Sequence, residues 1–358
     1  MKYLNALNLI SGIGPKKTEK LLDFFKSSES TWNASADDLN RSGIGEKLAE
    51  KIVLARKNIS PSEELEKLQK ENIKIVSMKD FSYPALLREC PSAPYIIYTK
   101  GNMDLNASPA IAIVGSRKNT PYGAQVTKTL AKKLAEAGIT IVSGMALGTD
   151  SFAHTGALEG MGKTIAVLGN SLDDECIYPR TNFNLSRNIV QNGVLVSEYP
   201  MSTPASHLTF PARNRIIAGL TLGTIVIEAR EKSGALITAE YALDFNREVF
   251  SVPGSIFSPE SAGTNNLIKK GAKVVTSIKD ILEELNLETN VSASLLSNKN
   301  PGNENEKMLL KILSSSPLHI DNIARISKLN TTVVSATLSM MEIKGWTKNI
   351  GGQNYIIT

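Results

Sequence analysis

The sequence predicts an α/β fold: a doubly wound, mostly parallel sheet, with a small helical domain before it and another after it in the chain. Three observations carry this. Between residues 73 and 285, short apolar runs alternate with amphipathic helical patterns, which is the signature of βαβ units. Nearly every apolar run ends in a loop containing Gly or Ser. Ahead of this stretch a Ser-Gly-Ile-Gly tetrapeptide occurs twice. Behind it, a segment rich in Ser, Asn, Pro and Gly (288–303) reads as a linker. The expected boundaries are therefore 1–72, 73–287, the linker, and 304–358.

In the first segment, short helices surround Ser11-Gly12-Ile13-Gly14 and its copy Ser42-Gly43-Ile44-Gly45, and helical patterns follow at 17–25 and 46–55. The repeat resembles the helix-hairpin-helix motif. Glycines let the backbone turn tightly and come close to a phosphate, and the amides of the next helix start can bind an anion. Lys16, Lys17 and Lys47 stand beside the two turns. The turns can equally serve only to bring two helices together, and both readings stay open.

In the middle segment, Ala110-Ile111-Ala112-Ile113-Val114 is a continuous apolar run, as in a strand buried on both faces. It ends at Gly115-Ser116-Arg117. A helix at 122–137 follows, apolar at Val126, Leu130 and Leu134 and closed by Gly138. A strand at 140–142 ends at Ser143-Gly144, and a helix runs from near Asp150 to Glu159. Further strands are expected at 164–168 (ending at Gly169), 194–197, 224–228, 248–252 (ending at Pro253-Gly254) and 273–275. In open α/β sheets ligands bind beyond the carboxyl ends of the strands, where the strand order reverses. The glycine-containing loops should therefore converge on one rim, where bare amides and helix starts suit a phosphate.

Composition and spacing exclude several classes. The 42% hydrophobic and 21% charged content is that of a globular protein. The two cysteines, Cys90 and Cys176, have no metal-ligand spacing, so no metal is expected, and a reducing compartment is. The N-terminus lacks the apolar core of an export signal, and the longest apolar stretch, 216–227, is too short to span a bilayer. The reading is cytoplasmic, with no membrane insertion. The net charge of +5 is spread thinly: 12 basic against 11 acidic residues in 1–72, 21 against 19 in 73–285, and 7 against 5 in 286–358. A nucleic acid would then be held by a few placed cations rather than by a general field.

Gly115-Ser116-Arg117-Lys118-Asn119-Thr120 has Arg where a dinucleotide fingerprint needs Gly, and Gly162-Lys163-Thr164 precedes a strand instead of following one, so no nucleotide cofactor is expected. His154 lies one turn after Asp150, which makes acid–base chemistry conceivable, although capping and orientation explain the pair better. Glu228, at the end of a strand, is the one candidate base for cleavage of an N-glycoside.

The decisive phrase is Phe210-Pro211-Ala212-Arg213-Asn214-Arg215-Ile216-Ile217-Ala218-Gly219, two arginines around an asparagine before an apolar helix. Guanidinium groups bind phosphate in a planar, bidentate way. Arg117, Arg180, Arg213 and Arg215 are expected to line one rim. Several further motifs stand in order along 75–285: Gly115-Ser116-Arg117; Ser143-Gly144-Met145-Ala146-Leu147-Gly148-Thr149-Asp150; Leu168-Gly169; Tyr178-Pro179-Arg180 with Asn182; Ser197-Glu198; Glu228-Ala229 with Ser233-Gly234; and Val252-Pro253-Gly254. Together with the arginine phrase they resemble the DNA processing protein A (DprA/Smf) family.

The resemblance implies a Rossmann-like domain that binds single-stranded DNA, forms a homodimer, and protects and loads incoming DNA with the recombinase RecA in natural transformation, without catalysis. It makes Arg117 and Arg180 phosphate-binding cations; Arg180 stands where the family often has lysine. It places Phe183 where a ring could stack on a base, a contact contributing roughly 1–3 kcal/mol; a core aromatic is the competing role. The implied DNA-binding set is Gly115, Ser116, Arg117, Ser143, Gly144, Gly169, Arg180, Asn182, Phe183, Arg213, Asn214, Arg215, Ser233 and Gly234. Met145 and Thr149 replace the more usual Leu and Ile.

The last segment resembles a winged helix, with a helix at 306–313, a helix-turn-helix at 320–327 and 332–344, and a hairpin at 346–357 turning at Gly351-Gly352. Only Lys328, Lys344 and Lys348 stand near its recognition face, which favours protein contact or weak duplex binding. Two other functions compete with the main one: a nucleotide-processing hydrolase of the lysine-decarboxylase-like type, which would need paired glycines absent before Gly223-Thr224, and a regulator acting through the winged helix.

Overall fold

The computed structural model describes residues 1–287, 302–313 and 318–357. The expected linker falls mostly on 288–301, outside the described residues. Two compact units divide the chain, Met1–Leu285 and Asn286–Thr358.

The first unit is built on nine strands: β1 (Ile73–Ser77), β2 (Ile96–Gly101), β3 (Ala110–Val114), β4 (Thr140–Ser143), β5 (Thr164–Val167), β6 (Val194–Ser197), β7 (Gly223–Val226), β8 (Glu248–Ser251) and β9 (Lys273–Val274), in the order β1-β2-β6-β5-β4-β3-β7-β8-β9. The run from β6 to β9 is parallel throughout, and its seven strands are the seven apolar runs of the sequence, with ends shifted by at most two residues. β1 and β2 are additional. They pair antiparallel with each other and with β6, and no crossover helix joins them, so the βαβ rhythm did not pick them out. The chain builds β3 to β6 on one side and returns to β7 on the other side of β3. The strand order therefore reverses between β3 and β7.

The inner strands β3 to β7 are buried on both faces, as their unbroken apolar runs require. Ala112 and Val114 pack with Val142, Val167, Ile216 and Val226 on one face, while Ile111 and Ile113 are fully buried too. Each buried Val or Ile contributes about 1.5–3 kcal/mol. The helix Pro121–Glu136 starts on Pro121, with the Thr120 hydroxyl accepting from the Gly123 amide at 3.2 Å. It lies against the helix Thr149–Glu159, where Gly156 and Gly160 admit the backbone: a Cβ on either would run into the Lys128 or Lys132 carbonyl.

The N-terminal helices brace each other crosswise. Gly12 and Gly43 turn at φ +103° and +78°, which bury Ile13 and Ile44. Lys20 Nζ donates to the Gly43 carbonyl of the second turn at 2.9 Å, and Lys51 Nζ donates to the Ser11 carbonyl of the first at 2.6 Å. The helices dock on the sheet through Tyr98, whose buried hydroxyl donates to Asn5 Oδ1 (2.7 Å) and accepts from Asn8 Nδ2 (3.1 Å); Asn8 Nδ2 also reaches the Glu198 carbonyl.

The second unit contains the helices Glu304–Ile312, Ile320–Ser327 and Thr331–Ile343 and a three-stranded sheet of β10 (Leu318–His319), β12 (Asn354–Ile357) and β11 (Thr347–Asn349). Leu309, Ile323, Val334, Leu338, Met341 and Tyr355 form its core. The helix Thr331–Ile343 carries no Lys or Arg, and it exposes Val333, Met340 and Ile343 among hydroxyls. Lys344 is held by Glu306 at 2.6 Å. Among the described residues, no helix is long and apolar enough to cross a membrane.

Tyr98→Phe leaves the buried Asn5 amide without its partner, at a cost of about 1–3 kcal/mol. A lower denaturant midpoint at unchanged m-value, together with faster proteolysis within residues 1–72, is the expected result.

Candidate nucleic-acid interface

At the carboxyl ends of β3, β4 and β7, where the strand order reverses, a cavity of about 690 Å³ opens. Gly115, Ser116 and Arg117 enter it from the loop after β3, Ala146 and Asp150 from the segment after β4, and Arg230, Lys232, Ser233 and Gly234 from the loop after β7. The far wall is the helix Thr209–Gly219 with the residues before it, which bring His207, Phe210, Arg213 and Asn214. Gly144 and Gly169 line a small adjoining recess with Leu147, Tyr178 and Pro179. Convergence of the glycine loops on one rim is thus observed, with one exception. Pro253-Gly254 lines neither hollow; the Pro253 carbonyl accepts from the Tyr122 hydroxyl at 2.9 Å.

The four arginines expected on the rim divide into two pairs. Arg117 is exposed, its guanidinium 5.0 Å above the Phe210 ring, and Phe210 lies 5.7 Å from the ring of the half-exposed Tyr178. Arg180 is also exposed; its Nη1 donates to the Asp174 carbonyl at 2.6 Å, and its guanidinium covers the Phe183 ring at 4.1 Å.

Arg213 and Arg215 correct the expectation of four free cations. Arg213 precedes Ile216 and Ile217 by three and four residues, so it shares their buried face, and only 3% of it is exposed. Its Nη1 donates to the Gly144 carbonyl at 2.6 Å and to the Val167 carbonyl, at the ends of β4 and β5. A Cβ on Gly144 would occupy the place of this guanidinium. Burial lowers the Arg213 pKa to about 10, which leaves the group charged at neutral pH. Arg215 makes a two-pronged ion pair with Glu198, at 2.9 and 2.6 Å, in which both side chains are mostly buried. Asn214, between them, faces the cavity and donates to the Gly234 carbonyl at 3.2 Å.

Other expected contacts turn out to support the rim from below. Ser143 is fully buried and donates to the Ile113 carbonyl at 2.7 Å, and Asn182 donates to the Met145 carbonyl (2.9 Å) and Ser151 Oγ (2.8 Å). A Cβ on Gly115 would strike Thr149, and one on Gly169 would crowd Phe210. Ser116 Oγ accepts from the Lys118 amide (3.1 Å), and Ser233 Oγ caps the helix Gly234–Asp244. Phe183 is half-buried: it packs against the core, and the guanidiniums of Arg180 and Arg187 lie over its ring. Sequence reasoning missed Tyr178 and Phe210 as ring surfaces and His207, Arg230 and Lys232 as lining cations or polar groups. Lys232 could have been found from the rule that loops after strands form the rim.

The acid–base candidates are tied into the fold. Asp150 Oδ2 accepts from the Ala146 amide at 3.2 Å, and burial raises its carboxyl pKa despite the neighbouring Arg213. The expected touch with His154 is replaced by another bond. Thr164 gives its hydroxyl proton to the Ile141 carbonyl, so His154 Nδ1 is the donor in its 2.7 Å bond to Thr164 Oγ1. The imidazole is fully buried, which lowers its pKa to about 3. Glu228, only 2% exposed, accepts from the Thr120 amide (2.8 Å) and the Thr120 hydroxyl (2.6 Å), one bond to each oxygen, and holds the start of the helix Pro121–Glu136.

Comparison with known proteins gives a consistent picture. The family model of DNA recombination-mediator protein A matches residues 74–286, that of the DprA winged helix domain matches 292–353, and a SAM-like helix-hairpin-helix tandem matches 4–58. Protein Smf of Synechocystis sp. is 37% identical over 390 residues, covering 99% of this chain and 98% of its own. DNA processing protein DprA of Streptococcus pneumoniae is 45% identical over 208 residues, covering 58% of this chain and 73% of its own. The X-ray structure of DNA processing protein A from Streptococcus pneumoniae superposes with a TM-score of 0.70 at 36% identity, covering 79% of this chain and 98% of that one. A structure of DNA processing protein A from Helicobacter pylori, described for its single-stranded DNA binding mode, gives 0.53 at 34% identity, covering 59% and 95%.

The buried His154 sets a pH dependence. An unfolded chain protonates this imidazole near pH 6.5, whereas the folded chain does so only near 3. Stability is therefore complete above pH 6.5 and falls as pH drops through that window. Asp150, with its raised pKa, works in the opposite direction. His154→Gln should flatten the fall between pH 6 and 5 by up to about 1.4 kcal/mol per pH unit in urea titrations; equal slopes for variant and wild type would count against a neutral buried ring.

Proposed function

The chain belongs to the DNA recombination-mediator protein A family, and on that premise we propose that it binds single-stranded DNA along the carboxyl edge of its parallel sheet. The observation that carries this reading is the exposed Arg117 guanidinium standing over Phe210, beside the open Tyr178 ring, at the mouth of the 690 Å³ cleft. A cation takes a phosphate, and an aromatic step takes an unstacked base of any identity at roughly 1–3 kcal/mol per base. Arg117, Arg180, Phe183, Asn214, Ser116, Ser233 and Gly234 then contact the strand. Gly115, Ser143, Gly144, Gly169 and Asn182 shape the floor, and Arg213 and Arg215 hold the wall.

The match to a recombination-mediator family is in keeping with a role in handling single strands for recombination; we further propose that the protein protects incoming DNA and passes it to the recombinase RecA in natural transformation, acting as a homodimer in the cytoplasm. The reading is non-catalytic: the carboxylates Asp150, in the first turn of the helix Thr149–Glu159, and Glu228, just beyond β7, are engaged in backbone hydrogen bonds. Arg117→Ala should weaken oligothymidylate binding by about 1.5–3 kcal/mol, roughly ten- to a hundredfold, and lower the slope of log affinity against log salt by about 0.7, with the melting temperature kept. Binding equal to wild type at the same salt would overturn the site. Truncation after residue 287 should leave affinity largely intact, because the recognition helix of the last unit carries no cation; loss of binding would instead favour the winged-helix regulator.

A further inference from the structure

Beyond the cleft, the polypeptide continues from Tyr178 into the turn Arg180–Asn182 and the helix Phe183–Asn192. Phe183 lies under two guanidiniums: Arg180 at 4.1 Å from the ring centroid and Arg187, one helical turn on, at 4.9 Å. No motif of the sequence singles out Arg187. Its side chain is 65% exposed, and its ion pair with Asp174 is long, 3.4 Å. The other oxygen of that carboxylate goes to the mostly buried Lys100 at 2.8 Å. Arg187 is thus a cation whose anionic partner is already engaged by a closer one, and an exposed ion pair of this geometry is weak.

Resting on the single-strand reading above, we propose that Arg187 is a second phosphate-binding cation at Phe183, and that Arg180, Phe183 and Arg187 form one station on the strand path beyond the cleft. A guanidinium over an exposed ring is held more weakly than a stacked base. An arriving base takes the accessible part of the Phe183 ring in place of a guanidinium, and the arginines turn to the phosphates flanking that base, a bidentate and charge-assisted contact. The contacts of Phe183 with the core stay in place, so the station needs only side-chain rotation of the arginines.

The test compares Arg187→Ala, Arg187→Lys, Phe183→Leu and Arg117→Ala in anisotropy titrations of the full-length protein with a long oligothymidylate over a salt series. Arg187→Ala should lose roughly tenfold in affinity and about 0.7 in salt slope. Arg187→Lys keeps the slope, and Phe183→Leu weakens binding with no change of slope. If Arg187→Ala leaves the slope unchanged while Arg117→Ala lowers it, the station falls and the cleft stands. A lowered melting temperature with unchanged slope likewise overturns the proposal, since it marks Arg187 as structural. If neither arginine matters, the single-strand reading itself falls.

Discussion

The architecture of the rim depends on one buried charge. Where parallel strands end, their last carbonyls face outward with no further strand residue to meet them, and a buried carbonyl left unpaired costs free energy. Arg213 answers two of these at once, Gly144 after β4 and Val167 in β5, and lies close enough to Asp150 for each to favour the other's charged form. A buried guanidinium is tolerated only with such partners. Its position dictates the rest: Gly144 must lack a side chain, and the helix Thr209–Gly219 is fixed in rotation, so that Asn214 and Phe210 face the cleft.

This division between inward and outward arginines accounts for how a chain with a net charge of only +5 can present a cationic track. Arg213 and Arg215 are neutralised or enclosed, and contribute rigidity. Arg117 and Lys232 stand exposed on the wall of the cleft, and Arg180 and Arg187 are exposed beyond it; charges at a concave surface focus a field that the thin overall excess does not provide. The exposed ring of Tyr178 and the partly buried ring of Phe210 stand beside Arg117, so that charge and stacking surface adjoin at the mouth of the cleft.

The parallel half of the sheet was legible because strands buried on both faces leave continuous apolar runs, as Ala110-Ile111-Ala112-Ile113-Val114 does, and because each run ends at a glycine or serine. β1 and β2 were not, since an antiparallel pair at the edge needs neither a crossover helix nor unbroken apolarity: β1 exposes Lys74 between buried Ile73 and Ser77. The place of the site was legible from strand ends, but the direction of its arginines only in part. Arg213 could have been assigned inward from its spacing to Ile216 and Ile217. The pairing of Arg215 with Glu198 joins a helix to a strand end 17 residues away in sequence, and no local pattern encodes it. Arg187 was invisible for the opposite reason: a lone arginine in an amphipathic helix looks like any solvated residue until Phe183 and Arg180 are placed beside it.

The same logic of spent and unspent cations applies to the N-terminal repeat. Because Lys20 and Lys51 occupy equivalent positions in the two copies, each can cross to the other's turn, and the 31-residue period becomes a physical requirement: a shift of either lysine along its helix would break one of the two braces. These lysines are engaged with carbonyls, as Arg213 is, although their side chains stay exposed where Arg213 is buried. Lys16, Lys17 and Lys47 at the helix starts remain exposed. In both domains a motif that reads as a row of cations resolves into a set that braces the backbone and an outer set that does not. Only the outer set can exchange water and counterions for a nucleic acid, and only its removal should change the salt dependence of binding.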